Sequence, residues 1–231
     1  MIQFTFNYIK DQFIQVLQQG YTVVTCKDFA TLKSDSLENV KILINRVDID
    51  YSVKKALELT KIFNDLNIKA SFFIRLHAPE YNPFSFENYR ILKYIKESGH
   101  EIGYHSEVID QSVIWDENAV QNLKRDIEVM NTMLDIQISG VASHGGMTGN
   151  NNLDFWQNHK AKDFGLLYEA YDWFKKVFYV SDSEWTRWKC YNKGSLIKNN
   201  YDSLATHAKN NHPILYSLIH SDTYFNHHFY E

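Results

Sequence analysis

Apolar residues recur along this chain in two alternating patterns, short runs rich in isoleucine, leucine and valine and longer stretches with helical spacing. That alternation predicts a parallel sheet or barrel with helices packed outside it. The clearest unit begins at Lys41-Ile42-Leu43-Ile44-Asn45-Arg46-Val47-Asp48-Ile49-Asp50. Its apolar run leads into acidic residues, as in a buried strand that ends at a polar site. A helix is expected over 53–66, its inner face carrying Val53, Ala56, Leu59, Ile62, Phe63 and Leu66. A strand at 70–74, a helix over 86–98 stopped by Gly99, and a strand at 100–105 follow. Asp116 is the expected cap of a long helix reaching Leu134, with Lys124, Asp126 and Glu128 facing outward. A strand at 136–142 then runs into Ser143-His144-Gly145-Gly146. Further on, 164–168, 177–180 and 214–219 read as strands and 182–201 as irregular. Residues 1–39 are expected to add a helix and a strand ahead of the main units.

Only 3 prolines and 9 glycines interrupt the 231 residues, and no linker-like tract divides them, so one domain over 1–231 is expected. Hydrophobic residues at 44% and charged residues at 23% are ordinary globular composition. The 15% aromatic content could serve a sugar-stacking surface, although rigid core filler is the commoner use. A net charge of -4 argues against nucleic-acid partners and membrane surfaces, which favour basic patches. Cys26 and Cys190 form neither a disulfide framework nor a paired zinc motif and fit a reducing compartment. The first residues lack the charged start and apolar run of a secretory signal, and no apolar stretch approaches the roughly 18–20 residues of a transmembrane helix. The expectation is a soluble cytoplasmic protein.

Ligand-type residues stand where apolar strands stop: Asp48 and Asp50, His105 with Glu107, Ser143-His144-Gly145, and His220 after Ile214-Leu215-Tyr216-Ser217-Leu218-Ile219. In parallel α/β barrels the C-terminal strand ends converge on one face, which carries the active site. Taken singly, an aspartate at a strand end is usually a turn residue, and a histidine beside glycine is usually a loop or core histidine. Four strand ends delivering such residues to one rim favour a shared site. Residues two apart on a strand point the same way, about 6–7 Å apart. Two carboxylates so placed repel unless a cation lies near them. One aspartate and two histidines suit Zn²⁺, and tolerate Co²⁺, Mn²⁺ or Ni²⁺. The other aspartate would be left as a base for water.

These segments resemble a known family. Val47-Asp48-Ile49-Asp50, followed by a helix and Ala70-Ser71-Phe72-Phe73, is similar to the first motif of the NodB-homology polysaccharide deacetylases (carbohydrate esterase family 4), in the divergent branch with an Asp-x-Asp form. Ser98-Gly99-His100-Glu101-Ile102-Gly103-Tyr104-His105 closely resembles the second motif, which ends on a metal-binding histidine. Ala142-Ser143-His144-Gly145 resembles the third motif, and Tyr216-Ser217-Leu218-Ile219-His220 the late one. The resemblance implies a distorted (β/α) barrel of about seven strands with helices outside. It also implies a metal-dependent amide hydrolase acting on N-acylated sugars. Asp48 matches the catalytic base, Asp50 and His105 match metal ligands, and His220 matches the acid that protonates the leaving amine.

The chain departs from the pattern in three places. Ile49 separates the two aspartates, which leaves open an exchange of their roles. Ile109 stands where the family places a second ligand histidine, four residues after the first. His144 is the preferred replacement, because its strand should end on the same rim and the glycines beside it permit close backbone approach. Glu107 is the alternative, as a ligand or as support for a ligand histidine. The arginine–proline–tyrosine motif has no clean counterpart, although Arg187 in Trp185-Thr186-Arg187-Trp188 could cover part of it; a surface arginine is the commoner reading. Tyr104, Glu107, Arg187 and Trp188 are the candidate substrate-binding residues, with Tyr81 and Trp185 as further stacking candidates. His207, His212, His227 and His228 read as loop histidines without a role. The expected substrate is a carbohydrate or glycan precursor. Alternatives are a catalytically inactive sugar-binding relative and an amidohydrolase acting on a non-sugar amide.

Overall fold

The computed structural model describes residues 4–33 and 40–227, and His228 lies outside them. The chain starts with α1 (Phe6–Gln18), β1 (Thr22–Val24) and α2 (Cys26–Thr31). Three strand–helix units follow: β2 (Ile42–Ile49) with α3 (Val53–Asp65), β3 (Ser71–Ile74) with α4 (Phe86–Glu97), and β4 (Glu101–Ser106) with α5 (Val108–Trp115). Next come α6 (Ala119–Leu134), β5 (Gly140–Ser143) and β6 (Tyr168–Glu169). The last elements are β7 (Phe178–Ser181), β8 (Lys189–Asn192), β9 (Ser195–Leu196), α7 (Leu204–Lys209) and β10 (Ile214–His220).

The strands form one 10-stranded sheet in the order β6-β5-β4-β3-β2-β10-β7-β8-β9, with β1 also on β2. From β6 to β7 every pairing is parallel, and the hairpin β8–β9 adds antiparallel strands at one end. β1 and β3 lie end to end along one edge of β2, pairing with Ile42–Ile44 and Arg46–Ile49 respectively. This is the mainly parallel α/β arrangement of a distorted barrel.

Alternation along β2 divides the core. Ile42 and Ile44 join Phe73, Tyr179, Tyr216 and Leu218 inside the sheet's curve. Leu43, Val47 and Ile49 pack outward against α1, α3 and α4 through Phe13, Phe63 and Leu92. Each such side chain buried contributes roughly 1.5–3 kcal/mol. Both faces are covered, which is why the strand reads as a nearly continuous apolar run. Ser52, Ser85 and Asn118 cap α3, α4 and α6 through their side chains.

Several sequence expectations need correction. Asp116 does not start the long helix; it ends α5 in a left-handed conformation (φ 54°), and α6 begins after Asn118. Asp126 does not face outward: it is buried and accepts hydrogen bonds from Tyr104 Oη at 2.7 Å and Gln111 Nε2 at 2.6 Å. Residues 161–164 form a 3-10 turn, so the expected strand at 164–168 shrinks to β6. Part of the segment expected to be irregular is the hairpin β8–β9. His207 is not an exposed loop residue; it is buried on α7 with Nε2 at 3.3 Å from Cys190 Sγ. His212 stacks on Phe178 with ring centroids 3.9 Å apart. No helix of the described residues is long and apolar enough to cross a membrane.

His100, in the segment most like the second motif, serves the fold rather than the rim. Its Nδ1 accepts from the Ala70 N–H at 3.1 Å, and Nε2 faces Asn64 Oδ1 at 3.2 Å. Burial and nearby Lys69 push its pKa down to about 4, and burial with His212 pushes His207 down to about 4. The unfolded chain protonates both near pH 6.5, whereas the folded chain resists until about pH 4. Their contribution is therefore complete above pH 6.5 and is lost as pH falls from 6.5 towards 4. Denaturation midpoints measured across that window should fall less steeply for His100→Gln than for the native chain; equal slopes would refute the assignment.

Candidate metal centre

β2, β4, β5 and β10 run parallel with their C-terminal ends together, which brings Asp48, Asp50, His105, His144 and His220 to one cavity of about 420 Å³. Asp48 and Asp50 lie two apart and point the same way, as strand alternation requires. Asp50, His105 and His144 each offer a donor atom, and these atoms all lie within 4.8 Å of one another. His105 Nε2 is 3.3 Å and His144 Nε2 3.9 Å from Asp50 Oδ1. That carboxylate oxygen is buried without a hydrogen-bond partner, a state that proteins avoid unless an ion or water completes it. The donor set and its orphaned oxygen fit a divalent ion. Burial opposes ionisation of Asp50, yet His105, His220 and His144 together hold its carboxyl far below the usual range.

Of the two histidines, His105 is aimed by a hydrogen bond from its second nitrogen. His105 Nδ1 lies 2.8 Å from the Ala142 carbonyl, to which it donates, leaving Nε2 free towards Asp48 and Asp50. His144 Nδ1 lies 3.4 Å from Glu107 Oε1 without a hydrogen bond between them, and that oxygen accepts from Arg75 Nε and one of its terminal nitrogens at 3.0 and 2.7 Å. Glu107 thus stands beside His144, held by Arg75, and does not line the cavity. A Cβ on Gly146 would overlap the Asn150 carbonyl oxygen, so this loop requires glycine there; Gly145 has open space. On β4, a Cβ on Gly103 would collide with the Phe73 ring directly below His105.

Three participants were not singled out in the sequence. Arg46, buried inside the sheet below Asp48, donates from Nε and a terminal nitrogen to the two Asp48 oxygens at 2.8 and 2.7 Å. Its guanidinium lies 4.6 Å from the Tyr171 ring centroid. Burial opposes the Asp48 charge, but Arg46 and His105 hold its pKa below the usual carboxylate range. Asp182, just beyond β7, accepts from His220: its Oδ1 is 2.6 Å from Nδ1, and the His220 N–H is 3.0 Å from both oxygens. Burial opposes the imidazolium, yet Asp182, Asp50 and Asp48 push His220 up to about 9. Arg75 is the third, through Glu107. Strand alternation could have flagged Arg46, two residues before Asp48. The strand-end rule could have flagged Asp182.

Other candidates lie elsewhere. Tyr104 neighbours His105 on a strand and so points the opposite way, fully buried under α6 with its hydroxyl on Asp126. Trp188 is fully buried, donating from Nε1 to the Tyr8 hydroxyl at 2.8 Å. Arg187 is exposed, paired with Glu184 and 4.5 Å from the Tyr201 ring centroid. Tyr81 spends its hydroxyl on the Ile49 carbonyl at 2.8 Å. Of the aromatic candidates, Trp185 does line the cavity, with Tyr171, Phe174, Tyr179 and Tyr191.

No protein-family model and no curated protein matches the chain. Solved structures do match. A CE4 esterase from Streptococcus mutans aligns at a TM-score of 0.52 and 12% identity, over 88% of this chain and 81% of the esterase chain. This chain has the fold of a CE4 esterase. A CE4-family pseudoenzyme from Bacillus anthracis aligns at 0.48 and 17% identity, over 80% of this chain and 57% of its own. The catalytic domain of a peptidoglycan N-acetylglucosamine deacetylase from Eubacterium rectale aligns at 0.45 and 14% identity, over 78% and 76%. The chain thus spans less than two thirds of the Bacillus anthracis structure. Within the CE4 fold, Asp50, His105 and His144 could bind a metal.

Proposed function

We propose that this chain is a metal-dependent hydrolase that removes the acyl group from an N-acylated sugar. The observation that carries the reading is the convergence of Asp50, His105 and His144 between an arginine-held carboxylate and a carboxylate-held imidazole. Asp50, His105 and His144 would hold the ion, most suitably Zn²⁺, with Co²⁺, Mn²⁺ or Ni²⁺ tolerated by the same donors. When bound, such an ion supplies Lewis acidity to an acyl carbonyl and to water.

The chain's own residues do the rest. Asp48 stays ionised because Arg46 holds both its oxygens, and it accepts the proton from the attacking water. Asp50 would be the ligand of the two, a division of roles that its unpartnered Oδ1 supports. His220, kept protonated by Asp182, gives its Nε2 proton to the departing amine nitrogen. The aromatic wall formed by Trp185, Tyr171 and Tyr191 offers flat faces to a sugar ring.

Acetate release from N-acetylglucosamine oligosaccharides, measured with Zn²⁺ present and after chelation, tests the reading. His220→Asn should keep its metal and lose about 10²–10⁴-fold in kcat, the range for a positioned acid. Full turnover in that variant would remove His220 from its role. Protein that binds no metal and releases no acetate would instead be a non-catalytic module.

A further inference from the structure

The missing second-motif histidine leaves a mechanical problem. A ligand on α5 would be rigid, whereas His144 sits on a glycine-containing loop after β5. Position 109, where the resemblance places that histidine, is an isoleucine packed against the core. Its neighbour Asp110 is buried at 1% exposure, outside the metal triad. The Asp110 carboxylate accepts from the Met147 N–H at 3.0 and 3.1 Å, the Thr148 N–H at 2.9 Å, Thr148 Oγ1 at 2.8 Å and Asn152 Nδ2 at 2.7 Å. Asn152, fully buried, returns two bonds: its Oδ1 accepts from the Ile109 and Asp110 N–H groups at 2.9 and 3.1 Å. Its Nδ2 also lies 3.4 Å from the Gly145 carbonyl, one residue from His144.

We propose that Asp110 and Asn152 are positioning residues for His144: they strap its loop to the first turn of α5, so that helix supplies the anchor of the third ligand instead of the ligand. This rests on reading Asp50, His105 and His144 as the metal centre. A carboxylate that engages two consecutive backbone N–H groups and a hydroxyl fixes the loop's conformation before any ion arrives. His144 then loses little freedom on binding, the benefit of preorganisation. Without the strap the loop samples positions from which the imidazole cannot reach the site.

The test is Co²⁺ affinity, by competition with a chelator and by visible absorption, in the native chain, Asp110→Ala, Asp110→Asn, His144→Ala and Asp110→Ala/His144→Ala. Asp110→Ala should bind Co²⁺ about 10–100-fold more weakly, as loss of support around a ligand does, and its absorption should approach that of His144→Ala. In the His144→Ala background the same substitution should change affinity little, because the ligand it positions is already gone. Asp110→Asn, nearly isosteric, covers the case in which alanine prevents folding, and should fall between native and alanine. Native-like affinity in either Asp110 variant overturns the proposal. So does an equal loss in both backgrounds, which would mark a general structural role. A native chain that binds no Co²⁺ overturns the metal centre itself, a separate and recognisable failure.

Discussion

His105→Ala is expected to release the metal and lower turnover by about 10³-fold or more, since the ion's charge stabilisation is worth several kcal/mol, roughly 4 for that factor. His105 touches both aspartates of β2's end: its Nε2 lies 3.2 Å from Asp48 Oδ2 and 3.3 Å from Asp50 Oδ1. Burial disfavours its charged form, but Asp48 and Asp50 more than offset this and raise its pKa. Removing the ring leaves two buried carboxylates facing each other with no ligand nitrogen between them. Elemental analysis of purified native and variant proteins gives the first readout. Thermal denaturation gives the second, because an ion that binds only the folded chain at 100 times its Kd adds about 2.7 kcal/mol. Equal metal content in the two proteins would end the assignment.

The second large effect concerns Arg46. Arg46→Met should destabilise the fold by about 3–5 kcal/mol, because it leaves Asp48 as an uncompensated buried charge. The pair lies inside the sheet, with side-chain exposures of 0% and 2%. Adding Asp48→Asn should recover much of that loss, since a neutral pair no longer demands the partner, while activity is lost for lack of a base. The sign of the pH dependence follows from the depressed Asp48 pKa. Its stabilising contribution is present above the unfolded carboxylate value and fades as pH falls through the lower folded value. In Arg46→Met, burial acts without its main opponent, so the acid limb of the rate profile should move to higher pH. Urea denaturation of the single and double variants, with pH–rate profiles, measures both effects. If Arg46→Met is as stable as the native chain, the buried pair does not have the role assigned to it.

Much of the site was legible because strand ends are local features. The runs ending at Asp48, His105, Ser143 and Ile219 mark strands by composition alone, and parallel topology obliges their ends to share a rim. The same alternation that puts Asp48 and Asp50 on one face turns Tyr104, a substrate-binding candidate in the sequence, away from the face of His105, and it sets Arg46, which the sequence reading passed over, under Asp48 two residues earlier. Arg187 attracted attention as the nearest substitute for a missing arginine, yet the arginine that holds Asp48 lies on β2 itself. Asp182 stands directly after β7, where the strand-end rule applies, but its partner His220 is set by the register that lays β10 beside β7.

The linear chain determined the alternation of strands and helices, the buried character of β2 and the identity of the donor residues, because periodicity and side-chain chemistry are properties of neighbours. Tertiary structure alone decided which distant residues meet: His144 with Asp50 and Glu107, Asp182 with His220, and Asp110 with the loop around Thr148. Those partners stand between 37 and 94 positions apart. Hydrogen bonds and ligand sets require ångström-scale placement, and only the packing of the whole barrel supplies it.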